Sequence, residues 1–144
     1  MTEISKINPD EALASLFNDK VSVQTSANES HTIKAYGEGE RPNKGLGDEF
    51  LEVSWNGNAR MITCPNGLYR GSLLLAIYVK TYPDGRANKI VTERILAQCQ
   101  QLANNVSRNG FFFTLDAANV ITPLTVNLTT GYSTKCLNVE WRTT

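Results

Sequence analysis

Gly71-Ser-Leu-Leu-Leu-Ala-Ile-Tyr-Val-Lys-Thr-Tyr82, then Pro83-Asp-Gly-Arg86, then Ala87 to Val106, then Phe111-Phe-Phe-Thr-Leu115, is the stretch whose reading decides the fold. Its first run is apolar at nearly every position and reads as one long strand covered on both faces. Pro83-Asp84-Gly85 ends that strand with turn chemistry. Ala87–Val106 then carries Val91, Ile95, Cys99, Leu102 and Val106 on one stripe, an amphipathic helix. Beyond Ser107-Arg-Asn-Gly110, Phe111, Phe113 and Leu115 alternate as a strand, with Phe112 on the opposite face.

Upstream, Asn8-Pro9-Asp10-Glu11 is a helix start: Asn8 can cap, Pro9 fits the first turn, and Glu11 approximates a capping box. Leu13, Leu16 and Phe17 follow at helical spacing. Lys20–Thr25 alternates, with Val21 and Val23 on one face, and His31–Tyr36 reads as a second short strand. Residues 37–48 hold four glycines and a proline, so no regular element fits, and a loop of this length in a small domain is expected to be mobile in isolation and to serve a contact. Phe50–Trp55 alternates; Asn56-Gly57 is a hairpin signal with Ala59–Thr63 as the returning strand, and Pro65-Asn-Gly67 is another turn. Downstream, Val120-Ile121 can begin a short strand, 122–131 is β-prone and turn-broken, and Cys136–Trp141 alternates with Leu137, Val139 and Trp141 in phase. The order predicts a single α+β domain over 1–144: a mainly antiparallel sheet with one long and one short helix packed on one face.

Fourteen basic residues balance fourteen acidic ones, so net charge predicts neither nucleic-acid nor anionic-membrane binding, while a local basic patch stays open. Cys64, Cys99 and Cys136 are widely spaced, form no CxxC pair and read as small apolar residues. Met1–Lys6 lacks a signal-peptide run and the apolar run 73–79 is too short to span a bilayer; a soluble product made in the cytoplasm is expected. Three Asn-x-Ser/Thr triplets, among them Asn127-Leu-Thr129, then read as chance.

Catalytic signals are weak. His31 is the only histidine and has no nucleophile elbow beside it, and one His with three scattered Cys makes a poor zinc set. Gly37-x-Gly39 and Lys44-Gly45-x-Gly47 lead into a strand instead of a helix, so the phosphate-loop context fails. No metal, no cofactor and no enzymatic activity are expected. Trp55 and Trp141 sit in phase with apolar neighbours and read as core-margin packing or as subunit anchors. With Arg41, Lys44 and Leu46 of the loop, they are the candidate partner or subunit contacts.

The layout from Gly67-Leu-Tyr-Arg-Gly-Ser-Leu-Leu-Leu-Ala-Ile-Tyr-Val-Lys-Thr-Tyr82 through the Gly85 turn, the helix Ala87–Val106, Gly110-Phe-Phe-Phe and Gly131-Tyr-Ser-Thr-Lys-Cys-Leu-Asn-Val-Glu-Trp-Arg142 resembles the tail terminator, or tail completion, proteins of long-tailed bacteriophages. The resemblance covers about two-thirds of the chain and supplies no active-site residues. It implies a small α+β subunit forming a ring, six-membered in that family, at the head–tail junction of the virion. Such a ring caps the tail tube, joins it to the head connector, touches nucleic acid only as DNA passing through, and has no membrane partner. Two readings from other classes stand beside it: a non-catalytic binding module using residues 26–48, and a small phosphate-binding enzyme gripping its substrate with Arg41 and Lys44.

Overall fold

A computed structural model of the chain describes residues 8–57, 59–63, 67–115 and 121–144. Along it run α1 (Pro9–Phe17), β1 (Ser22–Ser26), β2 (Glu29–Thr32), β3 (Lys34–Tyr36), β4 (Glu49–Trp55), β5 (Arg60–Thr63), β6 (Leu68–Lys80), α2 (Lys89–Leu102), β7 (Val106–Arg108), β8 (Phe111–Leu115), β9 (Thr125–Asn127) and β10 (Tyr132–Thr143). The apolar run is β6, the sheet's spine. It pairs antiparallel with β10 from Arg70 opposite Arg142 to Lys80 opposite Tyr132. β4 and β5 lie end to end along the other edge of β6. β8 and β9 flank opposite ends of β10. β3 adds parallel to β4, β7 pairs with β8, and β1 and β2 form a separate ribbon. The α+β expectation holds, with a mainly antiparallel sheet and two helices.

Strand alternation segregates the two faces. Leu51, Val53, Leu73, Leu75, Ile77, Leu137, Val139, Trp141 and Phe113 join Leu13, Phe17, Ile95 and Cys99 of the helices in one core cluster. Trp141 stands opposite Gly71, and its indole occupies the space a side chain there would take. Its ring meets Trp55 and Phe111 edge-on, each at 5.7 Å. Residues of the other phase, among them Phe50, Tyr78, Glu140 and Arg142, stand on the face away from the helices.

Three local expectations are corrected. The long helix is shorter than Ala87–Val106: Asn88 caps it by accepting from the Val91 amide, and it ends at Leu102. Val106 begins β7, because Asn109 and Gly110 both take positive φ (52° and 84°) and close a two-residue hairpin into β8. Asn56-Gly57, conversely, makes no hairpin: β5 continues along the edge of β6 instead of turning back on β4. β5 pairs antiparallel with β6 up to Thr63 opposite Leu68, and the turn expected at Pro65-Asn-Gly67, like the expectations on Cys64 and Val120, rests on positions 64–66 and 120, outside the described residues. His31–Tyr36 splits in two at buried Ile33, whose amide donates to the Val21 carbonyl and whose carbonyl accepts from Asp19.

Candidate interaction surface

On the face away from the helices, Phe50 stacks on Tyr78 with centroids 4.6 Å apart. Tyr132 meets both rings edge-on at 5.3 and 6.5 Å. The Arg41 guanidinium lies 5.6 Å from the Phe50 centroid and 5.3 Å from that of Tyr78, and its Nε stands 3.6 Å from a Glu52 carboxylate oxygen. The Tyr132 hydroxyl donates to the Gly47 carbonyl at 2.8 Å. Burial, and then the charges of Asp48 and Glu49, raise the pKa of that hydroxyl. Loop 37–48 is thus laid over the aromatic cluster. It is also tied at its start, where Asp10 accepts from the Glu38 amide and Glu38 accepts from the Trp55 amide.

A depression of about 670 Å³ opens beside this cluster, bounded by Arg41, Leu46, Val126, Leu128 and Tyr132. Its rim is apolar and exposed: Val126 is 42% and Leu128 81% exposed. Leu128 is held there by its turn. The Asn127 side-chain oxygen accepts from the Thr129 and Thr130 amides, and the Asn127 carbonyl accepts from Gly131. The Leu128 methyl leans toward the Gly85 turn, and Tyr82, 43% exposed, belongs to that same turn, whose Gly85 amide donates to the Tyr82 carbonyl. Asn127, read in the sequence as part of a chance glycosylation triplet, is a turn clamp.

The five candidate contacts are therefore not one site. Arg41 and Leu46 come together on the depression. Lys44 is exposed on the loop. Trp55 is half-buried and Trp141, 2% exposed, is enclosed within the chain. Val126 and Leu128 were missed; the available signal was the alternation of Leu124, Val126 and Leu128 in a Thr/Asn-rich stretch.

The groups with reactive chemistry stand apart from one another. His31 Nε2 is 2.8 Å from a Glu49 carboxylate oxygen, with no nucleophile in that contact. Burial pushes the Cys99 thiol up to about 12, and burial also raises that of Cys136, so neither is a ready thiolate at neutral pH. Among the described residues no cluster of three or more His, Cys, Asp or Glu could hold a metal, and no helix is long and apolar enough to cross a membrane.

No protein-family model matches the chain, and no curated protein matches it. A solved structure that bears only a serial designation superposes with a TM-score of 0.54 at 11% identity, covering 76% of this chain and 78% of its own. At that identity the likeness speaks for the fold alone.

Proposed function

We propose that this chain is a structural virion subunit that assembles into a ring at a phage head–tail junction, capping the tail tube and joining it to the head connector. The observation that carries the reading is the clamped apolar tip at Val126 and Leu128, beside Arg41 and Leu46 on one depression. Two large aliphatic side chains held in water by a hydrogen-bonded turn are costly in isolation and favourable once a neighbour covers them. A tip that fits a different surface of the next copy is a heterologous contact, and such contacts close into rings when the rotation permits. The pattern resemblance of residues 67–142 to tail terminator proteins supports a role at the head–tail junction, and the tip supplies a means of assembly.

Leu128→Asp tests it. The side chain is exposed, so the variant should fold with an unchanged thermal midpoint. Sedimentation at high protein concentration, alone and with tail tubes, should show rings for the parent and monomers for the variant. A parent that stays monomeric under both conditions would sink the proposal, as would a variant that assembles normally.

A further inference from the structure

At the opposite end of the same sheet face, register brings together three arginines far apart in sequence. Arg60 of β5 stands directly opposite Arg70 of β6, and Arg70 directly opposite Arg142 of β10. Phe112 of β8 is next in the row, opposite Arg142. Directly opposed residues of antiparallel strands put their side chains on one face, with Cβ atoms about 5 Å apart. Three guanidinium groups therefore crowd a strip about 10 Å long. Like charges in that position destabilise a sheet. Relief is not local: among the described residues no carboxylate lies within ion-pair distance of any of the three. The Arg142 guanidinium lies over the Phe112 ring at 4.8 Å from its centroid, which holds it at the end of the row.

The row borders a depression of about 650 Å³, whose lining adds the polar side chains of Asn56, Ser72 and Thr114. The side-chain amide of Asn56 donates to Asn138, so this wall is itself ordered. Glu140 lines the same depression. We infer that this depression is a phosphate-binding site, with Arg60, Arg70 and Arg142 as its anion ligands. Guanidinium forks match the oxygens of a phosphoryl group two at a time. A single carboxylate offers one charge to three cations; a phosphoryl group offers more charge and three oxygens. An acidic peptide presents its charges singly, one carboxylate at a time, whereas the Glu140 carboxylate in the lining opposes any anion alike. The site needs no ring, so it stands independently of the assembly reading.

Titration calorimetry at about 50 mM salt tests it with three probes: pyrophosphate, a short single-stranded DNA oligonucleotide and a glutamate-rich peptide. Pyrophosphate should bind the parent. Arg70→Gln should weaken binding at least about ten-fold, and Arg70→Lys, which keeps the charge and loses the fork, should also weaken it. Arg70→Gln should raise the thermal midpoint of the unliganded protein, because it relieves two like-charge contacts; that result also shows the variant is folded. Pyrophosphate binding without oligonucleotide binding identifies a small phosphate ligand. Binding of both, with a salt slope that falls by about one on losing Arg70, identifies a nucleic-acid backbone. The inference is overturned if neither phosphate probe binds, if the peptide binds as tightly as they do, or if Arg70→Gln binds like the parent. Leu128→Asp, at the far depression, should leave these titrations unchanged whatever it does to assembly.

Discussion

Gly71 is the residue on which the buried end of the sheet depends. A Cβ built there would stand 2.9 Å from three indole atoms of Trp141, closer than real contacts allow. Trp141 cannot retreat, since Trp55 and Phe111 meet its ring and it is 2% exposed. Gly71→Ala should therefore destabilise the fold by about 1–3 kcal/mol, read from the urea midpoint, although alanine is otherwise the better strand residue. A second residue-scale effect lies where the 37–48 loop meets α1. The carboxyl of Glu11 beside it, then burial, then the charges of Glu11 and Asp10, hold the Glu40 pKa above the usual carboxylate range. A raised pKa means the folded state holds this proton more tightly than the unfolded chain. The resulting stability is complete below the ordinary carboxylate range and is lost as pH rises through the raised value. At neutral pH the charged pair only repels. Glu40→Gln should then stabilise the protein at pH 7 by no more than about 0.5 kcal/mol, because the site is exposed, and the gain should vanish on acidification. A gain that persists in acid would contradict the assignment.

The helices and the two spine strands were legible as elements because their apolar periods are long. Val91, Ile95, Cys99 and Leu102 recur at helical spacing, and no strand competes for that stripe. Connections were less legible. Asn-Gly recurs along the chain, and at 56–57 and 109–110 the same dipeptide does different work. At 109–110 both residues adopt the left-handed region and a hairpin closes. At 56–57 the Asn56 amide donates to the Ser72 carbonyl and the chain stays on the edge of β6. What decides between them is the partner strand, a non-local fact that a dipeptide does not carry. The start of α2 is a cleaner case. Its first turn has no acidic residue, so the Asn88 side chain alone answers the exposed amides there, through Val91 at 3.3 Å. Asn88→Ala should cost about 1 kcal/mol, whereas Asn88→Asp, which keeps the acceptor and adds a charge suited to the helix dipole, should be neutral or stabilising at pH 7. Paired urea denaturation curves separate the two outcomes.

At the scale of the molecule, both depressions on the face away from the helices were invisible in sequence, and for one reason. Arg60, Arg70 and Arg142 share no local spacing, nor do Leu46 and Leu128; only the register of β5, β6 and β10 in the first case, and the fold of the loop over β4 and β6 in the second, brings them together. The same register makes the C-terminal strand a central one. Among the described residues, β8 joins the sheet through residues 139–143 of β10, and β7 joins it through β8. Val139, Trp141 and Thr143 are buried, and the Thr143 hydroxyl accepts from the Tyr69 amide. A chain ending at Asn138 would lose that strand end, orphan the ladder groups of β8, and leave the Trp141 space open beneath Gly71. Its loss is on the scale of the whole stability of a small domain, about 5–15 kcal/mol. Such a truncation should show no cooperative thermal transition, while removal of Thr144 alone, which loses only exposed bonds to the Gly110 carbonyl, should leave the midpoint within a few degrees of the parent. Because β6 and β10 pair across more than fifty residues of intervening chain, the central ladder of the sheet cannot form until its last strand is present. Refolding of the full chain should accordingly run in milliseconds to seconds, with Gly71→Ala slowing it only if the Trp141 contact belongs to the folding nucleus. Stopped-flow tryptophan fluorescence reads both rates, and a microsecond folding phase that carries the full amplitude would contradict the dependence on this long-range pairing.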